Sequence, residues 1–410
     1  MSDSIQAPQI HPIHPFPARM APSIAWESLP GRGRSLRVLD PMAGSGTTLV
    51  VAKAKGHKAI GYDTDPLATL IARAWCSEVD AERLTVKAYE VLDKARDIAR
   101  TIPFEKAYPY SADEETKRFI DFWFDTSNRL QLTALSQAIS LVSDPNTKNL
   151  LWVAFSRLII TKKVGVSLAM DVSHSRPHRK YQYAPVRAFD VFLRSVDHVI
   201  KKAPFRSRNE GHPSAIIARG DARRMPLPSN SIDMVITSPP YLNAIDYLRG
   251  HKLSLIWMGY SINALRRLRS SNIGVERPLR LDKESPAVTS IFERMGRTYD
   301  LDKRSQGMIK RFLYDMKSLI TEVARVLKLG GRAVFVVGDS TMRGVFIKNS
   351  LALIELAAAE NLELASRATR PIPESRRYLP PPNLEKSGKK MQKRMREEVV
   401  LEFVLRPSGY

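Results

Sequence analysis

The run Thr237-Ser238-Pro239-Pro240-Tyr241 closes an apolar stretch, residues 231–236, and its residue types restrict what it can do. Consecutive prolines have a fixed φ and no N–H to donate, so a strand that runs into them stops and presents carbonyl oxygens from a rigid loop. Fixed acceptors suit a donor. A neutral amine with two N–H bonds is such a substrate: Ser238 Oγ and the Pro239 carbonyl each take one N–H, which leaves the nitrogen lone pair free to attack an electrophile, while Tyr241 offers a face for a planar ring. Ser238, Pro239, Pro240 and Tyr241 are therefore the candidate catalytic residues. Alone, the same tetrapeptide also describes a proline-terminated strand with a buried tyrosine; a second motif upstream decides against that reading.

Residues 40–48 read Asp-Pro-Met-Ala-Gly-Ser-Gly-Thr-Thr, between an apolar run and a helical pattern. Gly44 and Gly46 let a backbone approach a ligand closely, and the helix behind them offers free N–H groups. The loop lacks the Gly-Lys-Ser/Thr ending of a phosphate-binding loop, and Asp40 at its mouth would repel a pyrophosphate but could face an ammonium. A cofactor that carries an amino acid fits better than a nucleoside triphosphate. Asp63 ends the next strand, placed to accept from both hydroxyls of a ribose; Asp65 competes for that task, although Asp-Pro more often starts a turn or helix.

These stretches resemble the DNA amino-methyltransferases. Residues 40–48 and Ile60-Gly61-Tyr62-Asp63-Thr64-Asp65-Pro66 are similar to the family's motifs I and II, Gly220-Asp221-Ala222 to motif III, Ser238 to Tyr241 to motif IV, and His11-Pro-Ile-His14-Pro-Phe-Pro-Ala-Arg19 to motif X. The resemblance covers residues 11–68, 216–260 and, more loosely, 307–405, in an order like that of the α group. It implies S-adenosylmethionine as cofactor, bound by His14, Asp40, Pro41, Ala43, Gly44, Gly46, Thr47, Asp63, Asp221, Ala222 and Thr237, with Asp63 on the ribose and Asp221 on the adenine amine. It also implies direct transfer to an exocyclic amine of a base in double-stranded DNA. Serine at 238 resembles the N4-cytosine enzymes, whereas the N6-adenine enzymes more often carry Asp or Asn there. Adenine N6, an amine in RNA, and a nucleic-acid-binding module without catalysis are the alternatives. Transfer to cytosine C5 needs a thiolate nucleophile, and the single cysteine, Cys76, lies in a helical setting without a prolyl loop.

Charge points to the same partner. Among 410 residues, 64 Lys and Arg face 42 Asp and Glu, a net charge of +22 that a polyanion would neutralise. Arg176, Arg179 and Lys180 lie in Ser173-His-Ser-Arg-Pro-His-Arg-Lys-Tyr181, a stretch of cations, hydroxyls and an aromatic suited to phosphate and base edges. Arg266 and Arg267, with Arg269, Arg277 and Arg280, form a second basic segment, and residues 367–396 form a third, with ten Lys and Arg against two acids. For the 173–181 stretch a solvated basic loop is the alternative. His11 and His14 lack a third nearby ligand, so no metal is expected. One cysteine, no apolar span of membrane length and no leader-like start suggest a cytoplasmic, nucleoid-associated protein. A cognate restriction endonuclease would be a further partner.

The elements that must hold these residues read as α/β. Apolar runs at 36–40, 59–62, 215–218, 232–237 and 332–337 predict strands, with helices at 45–55, about 307–328 and 344–360; Gly330-Gly331 is expected to close the second of these helices. Residues 362–366 and 399–405 predict a terminal antiparallel pair. Between them residues 81–212 turn helical, with Phe119, Phe122, Trp123, Leu130, Leu132 and Leu135 spaced for buried faces. The expected architecture is a Rossmann-like class I methyltransferase sheet: residues 1–80 carry motif X and the cofactor loop, 81–212 form a helical insertion and candidate target-recognition region, and 213–410 carry the catalytic loop and the basic segment 261–306.

Overall fold

In the strands that carry the site, alternate residues enter two different cores. Val38, Met234, Ile236, Val334 and Val336 belong to one buried cluster, and Leu39, Ile232, Val235, Ala333, Phe335 and Val337 to the other, so one sheet is covered on both faces. In the computed structural model, which describes residues 10–17, 19–31, 33–205, 213–242, 246–274, 285–372 and 397–407, the strands are β1 (Arg37–Asp40), β2 (Lys58–Asp63), β3 (Ala169–Met170), β4 (His178–Arg179), β5 (Ala215–Arg219), β6 (Ile232–Thr237), β7 (Leu327–Val337), β8 (Ser340–Met342), β9 (Val345–Ile347), β10 (Leu362–Pro371) and β11 (Glu397–Leu405). Seven of them make one sheet in the order β10-β11-β7-β6-β1-β2-β5. The strands from β5 to β7 are parallel, and β11 and β10 join antiparallel at one edge, as the terminal pair was expected to do. The chain leaves β1 toward β2 on one side and later returns to place β6 on the other. Their carboxyl ends thus form the switch point where open α/β sheets keep their ligands.

Helices Thr47–Ala54 and Pro66–Cys76 pack on the first face. So do four helices of the 81–202 stretch, Ala81–Thr101, Thr126–Ser140, Pro145–Ile159 and Ala188–Lys202, whose apolar faces merge with the same core. Helix Lys303–Val326 and its neighbours Pro286–Arg294 and Asn349–Ala358 cover the second face.

Four expectations are corrected. Helix Lys303–Val326 starts earlier, because Asp302 accepts from Ser305 N at 3.1 Å and caps it, and Gly330-Gly331 lie within β7 rather than at the helix end. There Gly330 takes φ +75° beside an irregularity in the β6–β7 pairing, and a Cβ on Gly331 would meet the Lys328 carbonyl at 2.7 Å, so the pair forms a bulge. Residues 344–347 are not helical: Arg343 and Gly344, both at positive φ, turn β8 into β9, and the helix waits until Asn349. Phe122 is exposed, with the Arg179 guanidinium 5.3 Å from its ring.

Candidate active site

Thr237 ends β6, Asp40 ends the adjacent β1, and Thr237 Oγ1 donates to Asp40 Oδ1 at 2.8 Å. This buried bond fastens the catalytic loop to the cofactor loop at their roots. Asp40 also accepts from Met42 N at 3.2 Å; burial pushes its carboxyl up to about 6 despite the opposing bonds from Thr237, Thr48 and Met42. The expected cofactor contacts Pro41, Ala43 and Thr47 are buried around it.

The two loop glycines differ in what they face. Among the described residues, a Cβ on Gly44, at φ +51°, would meet only the Phe16 ring, at 3.5 Å. Gly46, at φ +93°, takes the N-cap place of helix Thr47–Ala54, and a Cβ there would lie 2.9 Å from that of Ala72. Gly46 thus seats this helix on Pro66–Cys76, leaving Gly44 as the open approach. Between them Ser45 Oγ is buried with no hydrogen-bond partner among the described residues. Asp63 receives Gly44 N at 2.8 Å on Oδ2 and Asp65 N at 2.9 Å on Oδ1, so the acid shapes the loop itself. Each oxygen keeps a further lone pair for a ligand hydroxyl. Burial, and then the charge of Asp65, push the Asp63 carboxyl up to about 7. Asp65 is not free for a ribose: it caps helix Pro66–Cys76 through Leu67 N at 2.8 Å and holds His251 Nδ1 at 2.5 Å.

At the next strand end, Asp221 accepts from Arg223 Nε and Nη2 at 3.0 and 2.7 Å; burial works to raise its carboxyl, but the Arg223 bonds hold it below the usual range. Arg223 also donates to Asp315 at 2.6 Å and to the Ser271 carbonyl at 2.7 Å. Ala222 is buried in the second core. His14 of the motif X segment is buried, its Nε2 3.0 Å from Ser156 Oγ and its Nδ1 without a partner among the described residues, while His11 is exposed. Burial, with Arg157, His251 and Arg19 nearby, drives its pKa well down, so His14 is neutral.

In the catalytic loop, Ser238 Oγ donates to the Val336 carbonyl at 3.1 Å. That spends its only proton and leaves its lone pairs as acceptors. Tyr241 is half-buried against the second core with its hydroxyl at Ser238; burial and then Glu398 push it up to about 12. Pro240 packs near Gly274, whose Cβ would stand 3.6 Å away, and Thr64 Oγ1 donates to Asn272 Oδ1 at 3.0 Å. The segment that follows basic helix Ile262–Ser271 therefore passes beside both loops.

Arg176, Arg179 and Lys180 lie in and beside hairpin β3–β4. All three are exposed, and the hairpin's turn lies on helix Leu248–Leu255, where a Cβ on Gly250 would meet the Val172 carbonyl at 2.6 Å. Gly250 was not singled out in the sequence, although an isolated glycine in a helical pattern is a signal of close approach. Arg266 pairs with Glu115, Arg267 donates to Asn263 at 3.0 Å, and both are exposed. Arg277, Arg280 and most of the third basic segment (373–396) lie outside the described residues. Cys76 is buried and its thiol is pushed up to about 12, which leaves no thiolate for attack on a ring carbon.

Fold and site together define a Rossmann-like α/β protein with a glycine loop and a prolyl loop joined at the switch point. No family model matches the chain. In sequence it is similar to the type II methyltransferase M.MvaI of Kocuria varians, 23% identical over 401 residues, which cover 89% of this chain and 85% of that one. It is also 23% identical over 368 residues to M.AvaI of Nostoc sp., 78% of this chain and 72% of that one. The resemblance to DNA amino-methyltransferases read from the motifs is thereby borne out over most of the chain. Among solved structures, an S-adenosylmethionine-dependent methyltransferase from Methanosarcina mazei aligns with 8% identity and a TM-score of 0.34, covering 95% of this chain and 100% of its own.

Proposed function

We propose that this protein is an S-adenosylmethionine-dependent methyltransferase that methylates N4 of cytosine in double-stranded DNA. The observation that carries the reading is the Thr237–Asp40 bond, which sets an acceptor loop for an amine against a loop for an amino-acid-bearing cofactor. The residues fit that cofactor: Gly44 leaves its approach open, Asp63 retains acceptors for a ribose, and the buried Ser45 Oγ and His14 Nδ1 have no partner among the described residues. When bound, S-adenosylmethionine supplies a methyl group already made electrophilic by its sulfonium.

The chain's part is positioning. The cytosine leaves the duplex, Tyr241 offers a face to its ring, and Ser238 Oγ and the Pro239 carbonyl each accept one N–H, which aims the amine lone pair toward the cofactor side. The surplus proton stays on the methylated nitrogen, hydrogen-bonded to these acceptors, until it passes to water. Arg176, Arg179, Lys180, Arg266 and Arg267 are the proposed phosphate contacts. Adenine N6 is the second reading, since the same loop can grip either amine; serine at 238 favours cytosine. DNA methylated in vitro, digested and chromatographed against N4-methylcytosine, 5-methylcytosine and N6-methyladenine standards tests this, and label found only in the adenine standard would overturn the cytosine assignment.

The raised carboxyls give a pH signature. Asp40 and Asp63, at about 6 and 7 in the folded chain, bind their protons more tightly than in the unfolded chain. Their contribution to stability is present at low pH and lost as pH rises from about 4 through 7. A ribose that donates to Asp63 favours its ionised form. Affinity for S-adenosylhomocysteine should therefore rise about tenfold from pH 6 to 8 and then level off, as calorimetry across that range would read.

A further inference from the structure

Asp65 and His251 have no task in the mechanism above, yet both are buried, at 6% and 1% exposure, and bonded to each other. A carboxylate only accepts, so the shared proton sits on His251 Nδ1, and Nε2 is left buried without a partner among the described residues. An orphaned buried nitrogen is costly, and such cost is retained where a group serves function.

What His251 joins is visible in the contacts. Asp65 N–H and Gly44 N–H grip the two oxygens of Asp63, so the Asp63 carboxylate, Asp65 and His251 form one continuous hydrogen-bonded chain. His251 and Tyr247, one turn apart, both face Phe16, with centroids at 5.1 and 5.6 Å, and Phe16 in turn lies against Gly44. The helix bearing His251, Leu248–Leu255, follows the catalytic loop in the chain and carries Gly250, against which the basic hairpin rests. The cofactor acid, catalytic loop and hairpin thus meet on one helix through His251, Gly250 and the peptide chain.

We propose that His251 is a positioning residue that couples cofactor binding to DNA engagement, an inference that rests on the methyltransferase reading. A cofactor that fixes Asp63 and Gly44 fixes Asp65 and Phe16, and through His251 it sets the helix that orients both the catalytic loop and the hairpin. By linkage, DNA binding then favours cofactor binding by the same factor.

The test uses the full chain, S-adenosylhomocysteine and duplex DNA that the parent protein methylates. In the parent, saturating S-adenosylhomocysteine should tighten DNA binding at least about fivefold by fluorescence anisotropy, within the usual range of coupling between sites. His251→Asn places an amide nitrogen where Nδ1 stands and should retain that factor. His251→Gln places it where Nε2 stands, out of reach of Asp65, and should bring the factor to about one, a change that loss of general stability would not produce selectively. Equal coupling in the two variants, or none in the parent, would overturn the inference. Should the Gln variant not fold, the Nδ1 proton resonance of the unaltered protein decides: it should move on adding either ligand, and a resonance unmoved by both refutes the link. A parent that methylates no nucleic acid and does not bind S-adenosylhomocysteine would instead overturn the function proposed above.

Discussion

Gly44→Trp is expected to abolish binding of S-adenosylmethionine in a chain that still folds. The Cβ itself is tolerated, because its nearest neighbour, the Phe16 ring, would stand at 3.5 Å, an ordinary contact. The backbone is less forgiving: at φ +51° a side chain costs about 1–2 kcal/mol, which a domain of this size withstands. The indole beyond that Cβ fills the approach beside Phe16 that the cofactor needs. Gly44→Ala separates the two effects, since it carries the backbone strain without the bulk and should weaken binding far less. Gly46 responds otherwise: with Ala72 atoms at 2.9 and 3.0 Å, Gly46→Ala should chiefly lower the melting temperature. Calorimetric titration of melting-checked variants reads these outcomes. A folded Gly44→Trp protein that bound the cofactor like the parent would remove residues 40–48 from the site.

Much of this was legible in the apolar pattern of the chain. The helices of the 81–202 stretch were read from apolar periodicity alone; four of them start where Asp80, Asp113, Asp125 and Asp144 each accept a backbone N–H, a local signal that the reading left unused. The five parallel strands were readable as short apolar runs, since both faces of the sheet are covered. What stayed hidden depends on partners distant in sequence. Asp65 looked like a ribose ligand or a helix start, and nothing local shows that His251, 186 residues on, takes its second oxygen. Gly330-Gly331 looked like a helix stop; only the pairing with β6 shows a bulge. Asp221 was read as a cofactor contact, and its bidentate grip on Arg223 joins that strand end to Asp315 on helix Lys303–Val326.

Ser238→Ala and Tyr241→Ala should fail differently, because the two residues do different things within one loop. Ser238 Oγ commits its proton to the Val336 carbonyl, so toward a substrate it is purely an acceptor. As the amine is methylated its nitrogen gains positive charge, and a hydrogen bond to a charged group contributes about 1.5–3 kcal/mol. Removing the hydroxyl should slow single-turnover transfer about 10- to 150-fold under saturating DNA while leaving cofactor affinity nearly unchanged. Tyr241→Ala removes a ring face, about 1–3 kcal/mol per stacked base, which should appear mainly as weaker binding of DNA carrying an extruded cytosine. It also empties part of the second core, so a fall in melting temperature should accompany it, whereas the serine variant should melt like the parent. Both variants transferring methyl to cytosine at the parental rate would mean that the prolyl loop does not hold the amine, and the proposed catalytic assignment would be withdrawn.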